Sequence, residues 1–419
     1  MTEPIQRQVE TACEECDWLI SSSAVKPGQI RHCERCQHTI SALPRDPLSA
    51  PIAYALSAII MLGLTFSFPF MAFTSAGISS SILFKGAMTS LVANGYNSIA
   101  IFLFISLVAL PLISLLIIIY LHASLALKRT SARAKITLKV LHWFKPWIMV
   151  DVFLVGILVA LVKVMSMADI GFGLSFWSFV AYALLLIKAT LSTDTHWLWL
   201  QHVGDLQPHT LEARHETTAS AGLMLCHHCG QLTPIGHDEC QRCHSKVHSR
   251  IPDSLQTTLA YLIAASIFYI PANVFPIMDT ALLGKNDPST IIGGVILLWQ
   301  LGSYPVAGVI LFASIMIPIA KMIAIAWLLH TASKKQQVSP KQALKIYRIT
   351  EFIGRWSMID VFVVAILVAL IHIDGLIVIY PGPAALSFGA VVALTMLSAM
   401  HFDPRIIWDR AKAKGSNSD

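Results

Sequence analysis

Long apolar runs recur along most of this chain, separated by short polar segments. Eight of them approach or exceed the roughly 20 residues that an α-helix needs to cross a bilayer. The longest has room for a re-entrant or amphipathic piece ahead of its span. The pattern predicts membrane-spanning helices at 51–73, 97–127, 148–168, 175–197, 257–279, 291–330, 357–380 and 384–402.

Composition supports this interpretation. Of 419 residues, 55% are hydrophobic and 13% are charged, whereas an ordinary soluble domain has about 25% charged residues. Too little polar surface remains to coat a water-soluble particle, so a soluble single-domain protein is excluded. The predicted fold class is an all-α polytopic membrane protein. Residues 1–50 begin with polar sequence and contain no apolar core of a signal peptide, so we expect the N-terminus to stay in the cytosol.

Basic residues set the predicted topology. Two segments, between the second and third helices and between the sixth and seventh, are rich in lysine and arginine and contain a single acid, Glu351. The only basic residues in the loops on the opposite side are Lys85 and Lys285. The positive-inside rule therefore predicts that both basic segments, and with them both termini, face the cytoplasm.

The two halves of the chain resemble each other. The segments 147–161 (WIMVDVFLVGILVAL) and 356–370 (WSMIDVFVVAILVAL) are identical at eleven of fifteen positions. Phe68-Pro69 corresponds to Phe275-Pro276 at a similar offset. Four helices per half is an even number, so the halves have the same orientation and form a parallel tandem repeat.

All eight cysteines belong to Cys-x-x-Cys pairs outside the apolar runs. Two pairs are separated by sixteen residues and two by ten, which is the spacing of zinc ribbons. We therefore predict two zinc ions, one per ribbon. The ligands would be Cys13, Cys16, Cys33 and Cys36 in the first ribbon, and Cys226, Cys229, Cys240 and Cys243 in the second. Disulfides, a redox Cys-x-x-Cys pair and a rubredoxin-like iron site are the alternatives.

Together these patterns predict five segments. They are an N-terminal cytosolic zinc ribbon at 1–50, a first four-helix transmembrane unit at 51–200, a second cytosolic zinc ribbon at 201–255, a second four-helix unit at 256–405 and a cytosolic tail at 406–419.

Ionisable residues within the predicted spans are candidates for function, because a charge there costs at least ~2.5 kcal/mol. Lys163 and Lys188 lie where snorkelling to an interface would satisfy them. Lys321 lies roughly 13 Å of helix before His330, and Pro318 and Ser314 share its helix face. We hypothesise that Lys321 and Ser314, joined by Lys163 or Thr395, line a polar cleft for a lipid headgroup. An ion pair is the structural alternative.

The duplicated acids Asp151 and Asp360 lie three or four residues into their helices, where the helix dipole stabilises a negative charge. A structural or coupling role is therefore expected for them, as for Pro318. The sequence contains no nucleophile elbow, phosphate-binding glycine loop or HExxH motif, so an enzyme is not expected.

Several motifs resemble the paraquat-inducible protein A family over nearly the whole chain. They are GRWSMIDVF (354–362), GSYPVA (302–307), ASIMIP-x-x-K (313–321) and FDPR-x-x-WDR (402–410). The resemblance implies a bacterial inner-membrane protein that works with a periplasmic MCE-domain partner in phospholipid transport. It would load or receive phospholipid at the base of a periplasmic conduit.

Two other function classes remain as alternatives. One is an autonomous secondary transporter of a small amphipathic solute, since parallel repeats also build such folds. The other is a membrane scaffold that uses its zinc ribbons to recruit a partner. Nucleic acid is not expected as that partner, because the basic residues cluster beside helix ends, where anionic headgroups explain them.

Overall fold

The structure is a computed structural model. It describes residues 6–21, 25–75, 78–93, 95, 97–129, 133–165, 169–204, 209–212, 216–282, 285–300, 302, 304–333, 338–359, 362–363, 366, 372–373 and 377–415. Within these residues the chain is mostly helical, with short strands paired into five small sheets.

Among its described residues, the first half contains seven strands and eight helices. The strands are β1 (Gln6–Ala12), β2 (Leu19–Ser21), β3 (Ile30–His32), β4 (Thr39–Ala42), β5 (Pro69–Ser75), β6 (Ile78–Leu83) and β7 (Asp169–Phe172). The helices are α1 (Ser49–Ser67), α2 (Phe84–Ala93), α3 (Asn97–Phe104), α4 (Leu110–Ala126), α5 (Ala134–Phe144), α6 (Val150–Met165), α7 (Leu174–Ser192) and α8 (Thr195–Val203).

Among its described residues, the second half has a similar but not identical order of elements. Its strands are β8 (His209–Glu212), β9 (Leu223–Leu225), β10 (Leu232–Pro234), β11 (Met278–Leu282), β12 (Lys285–Ser289), β13 (His372–Ile373) and β14 (Ile377–Pro381). Its helices are α9 (Ser254–Val274), α10 (Ile291–Gln300), α11 (Tyr304–Ile310), α12 (Ile317–Ser333), α13 (Pro340–Trp356), α14 (Pro383–His401) and α15 (Arg405–Gly415). Helix α15 lies where the sequence predicted only a tail.

Seven helical segments among the described residues are long and apolar enough to cross a membrane. They are Ser49–Ser67, Ala100–Ala126, Ala134–Ala160, Leu174–Ser192, Ser254–Val274, Ala307–Ser333 and Pro383–His401. Each overlaps one of the eight predicted spans. The remaining prediction, 357–380, falls largely outside the described residues, so its helix is not tested there.

The predicted ends of several helices were wrong at the end of the molecule opposite the cysteines, because strands form there. There β5 pairs with β6 and β7, and β11 pairs with β12 and β14, all antiparallel. The first and fifth predicted helices therefore end early, at Ser67 and Val274. Pro69 and Pro276 follow closely, and a proline lacks the amide hydrogen that a continuing helix needs. The end of the predicted span 357–380 is likewise strand.

One glycine per half allows the strands to approach the start of the following helix. A Cβ on Gly173 would lie 2.0 Å from the carbonyl oxygen of Pro69, and a Cβ on Gly382 would lie 2.2 Å from that of Pro276. No side chain fits at such distances. The amide of Gly173 donates to the carbonyl of Phe70, so the close approach is a hydrogen-bonded one.

The helix predicted at 291–330 is not continuous. It consists of α10, α11, a π-helical turn at Leu311–Met316 and α12. A second π-helical turn, Ile105–Ala109, joins α3 to α4 in the first half. Each turn directly precedes a helix whose second residue is proline, Pro111 or Pro318. The wider turn accommodates the missing amide and the bulk of the ring.

The core of each half is built on one helix pair. Helix α1 packs against α7, and α9 packs against α14. Large buried side chains such as Phe179, Tyr182 and Phe388 fill the interior. Many apolar side chains point outward instead, among them Ile270 at 65% exposure and Ile323 at 62%. A bilayer would cover such surfaces, because soluble proteins rarely expose large contiguous apolar areas to water.

One hydrogen bond recurs in both halves at the end near the cysteines. Asp194 accepts a hydrogen bond from the amide of Ala42 at 2.7 Å, and Asp403 accepts one from the amide of Ile251 at 3.1 Å. Both partners of the second bond lie 209 positions after those of the first (403 − 194 and 251 − 42). Each carboxylate thus ties the end of its half's last span to the segment that precedes its first span.

Candidate functional site

The eight cysteines form two separate clusters of four. All eight are buried and free, and in each cluster the four sulfur atoms lie within 4.8 Å of one another. Opposed sulfurs, such as those of Cys13 and Cys36, are 3.5 Å apart. A tetrahedral ion bonded at about 2.3 Å would place sulfurs about 3.8 Å apart, whereas a disulfide would place them about 2.05 Å apart. Both clusters therefore fit a metal ion such as zinc and do not fit disulfides.

Backbone geometry explains why these short sequences close around an ion. The residue after the second cysteine of each pair has a left-handed conformation, with φ of 63° at Asp17, 60° at Gln37, 71° at Gly230 and 54° at His244. That reversal brings the following carbonyl back to the first cysteine. The amide of Cys13 donates to the carbonyl of Trp18 at 2.9 Å. Each knuckle is thus a tight hydrogen-bonded turn that directs its thiols inward.

The two ribbons exchange partners across the molecule. Arg35 of the first ribbon lies over the ring of Trp408 in the second half, 4.0 Å from its centroid, and Arg242 of the second ribbon lies 5.9 Å from the centroid of Trp199 in the first half. Each arginine also donates to the carbonyl of a cysteine in its own ribbon, at 3.2 and 3.3 Å. Each ribbon therefore packs against the half of the protein that it does not precede in sequence, and it also keeps contacts with its own half, through Ala42 in the first ribbon and His227 in the second.

Charged contacts strengthen the docking of the first ribbon. Arg348 on α13 forms an ion pair with Glu15 and donates to the carbonyl of Cys36 at 2.9 Å. Burial raises the pKa of Glu15, but hydrogen bonds from His38 and Arg348 outweigh it and hold that pKa below its usual range. Glu15 thus remains an anion that links a metal-binding knuckle to α13.

A further ion-pair network joins the first ribbon, the segment after the second ribbon and the C-terminal helix. Arg250 donates to Asp17 at 3.0 Å and makes two hydrogen bonds, of 2.7 and 2.9 Å, to Asp409. Because Asp17 belongs to the first ribbon, Arg250 follows the second and Asp409 lies on α15, one guanidinium connects three segments that are distant in sequence.

A cavity of about 590 Å³ lies between the two ribbons and the ends of the helices below them. Both ribbons, α8, α12, α13, α14 and the turn after α5 contribute to its lining. Its polar lining comes from both halves, and Lys321 lines it from α12. The cavity therefore opens to the buried lysine that the sequence singled out.

Lys321 and Thr395 are in direct contact. The ammonium of Lys321, a residue only 3% exposed, donates to the hydroxyl of Thr395 at 3.1 Å. On another side the ammonium lies 3.0 Å from where a Cβ on Gly354 would stand. Glycine at that position of α13 leaves room for the lysine head beside the cavity. The hydrogen-bonding partner of Lys321 among the described residues is thus a neutral hydroxyl.

The other predicted cleft residues lie elsewhere or outside the description. Ser314 is buried and lines a different, mostly apolar cavity of about 70 Å³, because the π-helical turn at 311–316 alters the register between it and Lys321. Pro318 is buried directly after that turn. Asp151 lies in the first turn of α6. The side chain of Lys163 and the whole of Asp360 are outside the described residues.

Several cavity residues were missed by the sequence analysis. Glu14, Lys145, Glu351 and Arg355 line the cavity, yet in the sequence they are ordinary charges of a ribbon or of a cytoplasmic basic segment. Only the exchange of ribbons brings them to one place. The acids between the cysteines and within α13 carry no sequence signal that would separate them from surface charges.

Comparison with known proteins places this chain in a family. The model of the family described as "Paraquat-inducible protein A" matches residues 48–202 and 255–412. Intermembrane transport protein PqiA of Escherichia coli (strain K12) is 42% identical over 406 residues, covering 95% of each chain. A probable intermembrane transport protein of Haemophilus influenzae is 32% identical, covering 96% of each.

A third relative is named for an envelope-spanning tunnel. Lipophilic envelope-spanning tunnel protein A of Escherichia coli (strain K12) is 30% identical over 407 residues, covering 97% of this chain and 93% of its own. No solved structure matches this chain. The relatives are named as transport proteins rather than as enzymes. With candidate membrane spans, two cysteine clusters and this similarity across nearly its whole length, the chain belongs to the paraquat-inducible protein A family.

Proposed function

We propose that this protein is the inner-membrane component of an MCE-type intermembrane lipid transport system. It would load or receive phospholipid at the base of a periplasmic conduit formed by an MCE-domain partner, without enzymatic chemistry. The names of its relatives, which refer to intermembrane transport and to an envelope-spanning tunnel, support this proposal.

The proposed architecture is a parallel tandem repeat of a zinc ribbon and four membrane helices. The recurring bonds of Asp194 and Asp403 support the repeat, and so does a family model that matches the chain in two segments. The eighth span would lie within 357–380 and end before the strand at His372–Ile373. Each ribbon would hold one zinc ion, and the ribbons and both termini would be cytoplasmic, because the ribbons lie beside the basic segments.

Lys321 is the observation that carries the function. A buried lysine in a membrane span is costly unless water, an acid or a phosphate meets it. Its hydrogen-bonding partner among the described residues is the neutral Thr395, and a cavity lies beside it. A phosphate group entering that cavity would supply the missing negative charge. This favours a lipid with a phosphate headgroup over a neutral apolar cargo.

Lys321→Met tests the proposal, because it removes the charge and keeps the length of the side chain. We expect the variant to reach the membrane in normal amount and to fail to restore envelope integrity in a deletion strain. Lys188→Met is the matched control, since Lys188 lies on a span but is exposed. Full complementation by Lys321→Met would overturn the proposal.

The ion-pair alternative predicts a different result from the same experiment. If Lys321 neutralises Asp360, its loss would strand a carboxylate, lower the amount of protein and be partly rescued by Asp360→Asn. Immunoblotting of membranes alongside the complementation assay separates loss of protein from loss of function.

A further inference from the structure

Four charged side chains in the large cavity lack partners. Glu14, Glu351, Lys145 and Arg355 line it and make no ion pair or side-chain hydrogen bond with any described residue. By contrast, Arg348, which also lines the cavity, forms an ion pair with Glu15. All four unpaired side chains are solvent-exposed, so the cavity presents acids and bases that are open to water and to a ligand.

The unpaired charges come from different sides of the cavity. Glu14 belongs to the first ribbon and Glu351 to α13. Lys145 follows α5, and Lys321 lies on the membrane helix α12. Glu351 keeps accessible surface, but protein surrounds it closely enough that burial, reinforced by the charge of Glu15, raises its pKa. The charge of a bound cation would offset the cost of that desolvation.

The signs of these charges restrict the ligand. A purely anionic group would suit Lys321 and Lys145 but would face the carboxylates of Glu14 and Glu351, and a purely cationic group would meet the opposite problem. A molecule with one positive and one negative group satisfies both. The volume of about 590 Å³ is that of an ordinary small-ligand site.

The membrane side of the cavity is less polar. Phe352, Met396 and Met400 line it near Lys321, and Phe352 and Met400 are 55% and 40% exposed. Such side chains would suit the glycerol and upper acyl region of a lipid whose headgroup occupies the polar part. A headgroup would then be held between the two ribbons with its chains directed toward the bilayer.

We propose that the cavity binds an ammonium–phosphate zwitterion, the headgroup chemistry of an aminophospholipid. Lys321 and Lys145 hold the phosphate, and Glu14 and Glu351 hold the ammonium. As a lipid site this rests on the proposed function, whereas the same charges would also hold a free aminoalkyl phosphate.

The test uses the full chain in nanodiscs made from equal amounts of phosphatidylethanolamine and phosphatidylglycerol. Native mass spectrometry measures the ratio of the two lipids that remain bound. We expect the wild type to retain phosphatidylethanolamine preferentially, and Glu351→Gln or Glu14→Gln to reduce that preference about tenfold, the size of one charged hydrogen bond. Glu34→Gln is the matched control, because Glu34 lies between two cysteines of the same ribbon but outside the cavity.

Free phosphoethanolamine forms the second arm, with binding measured by calorimetry on the same nanodiscs. If this solute displaces bound phosphatidylethanolamine, the solute and the lipid headgroup share one site on the protein, which supports the inference. Binding of the solute without any lipid preference assigns the site to a soluble zwitterion. Equal retention of both lipids together with no binding of the solute overturns the inference.

Variant-specific outcomes are also decisive. A wild-type preference that survives both Glu14→Gln and Glu351→Gln would refute the assignment of these acids, provided that the variants keep the wild-type metal content. If the wild type shows no lipid preference but Lys321→Met still fails to complement, headgroup selection alone is refuted. Complementation by Lys321→Met with a lost preference in Glu351→Gln would refute the transport role alone.

Discussion

The exchange of ribbons leads to a prediction about which part of the protein depends on which metal site. The double substitution Cys13→Ser/Cys33→Ser removes two of the four ligands of the first ribbon, and ribbons of this kind fold only with their metal. That ribbon packs against α13 and α15 of the second half, through Arg348 and Trp408. We therefore expect α13 and α15 to lose stability more than the first half, which follows this ribbon in sequence.

The magnitude follows from the contacts that would be lost. Taking about 1 kcal/mol for the cation–π contact of Arg35 with Trp408 and about 1.5 kcal/mol for the charged hydrogen bonds of Arg348 gives ~2.5 kcal/mol. Because 1.4 kcal/mol is a factor of ten, this corresponds to a roughly 60-fold faster amide exchange through local opening.

Hydrogen exchange followed by mass spectrometry measures this effect segment by segment. Peptides from α13 and α15 should exchange faster in the first-ribbon variant, while those from α5 should change little. Peptides from α8 should change less than those from α13, because only the start of α8, at Asp194, bonds to the first ribbon. The matched control is the second-ribbon variant, Cys226→Ser/Cys240→Ser, which should reverse the pattern, since Arg242 donates to the carbonyl of Trp199 at 2.7 Å on α8. Equal acceleration of both sets, or none in α13, would refute the exchanged docking.

The remaining predictions concern metal, stability and topology. Elemental analysis of the purified protein should find close to two zinc ions, and either ribbon variant should retain close to one. Asp403→Asn should lower stability by about 3–5 kcal/mol, because it strands the buried Arg405. Asp194 has no arginine partner among the described residues, so Asp194→Asn should cost only about 1–3 kcal/mol. Thermal unfolding in detergent would rank the two variants, and equal losses would contradict the argument. Burial raises the pKa of Asp403, but Arg405 outweighs it and lowers that pKa below the ordinary value, so this stabilisation should be complete above the unfolded pKa of about 4 and disappear as pH falls through the folded pKa, which the difference between wild type and Asp403→Asn across an acid titration would show. Thiols introduced at Lys341 and Lys285 should label from the cytoplasmic and periplasmic sides respectively; the reverse would invert the topology.

Local patterns were enough to predict some features of this protein. Hydropathy located the seven candidate spans, because the length and apolarity of a span do not depend on which helices pack around it. The Cys-x-x-Cys spacing predicted both four-cysteine clusters for a similar reason, since each knuckle is a turn of a few residues. The motifs of the second half were sufficient to identify the family. These features are set by neighbours in sequence.

Other features depend on contacts that a linear pattern does not contain. The strands β11 and β14 pair across about one hundred residues. Without that distant partner, each sequence resembles the end of an apolar helix. The contact of Lys321 with Thr395 joins two helices. The exchange of ribbons, and with it the gathering of Glu14, Lys145 and Glu351 around one cavity, arises only when the two halves pack together. Charge and polarity can be read along a chain, but whether a charge is paired is decided by what the tertiary structure places beside it.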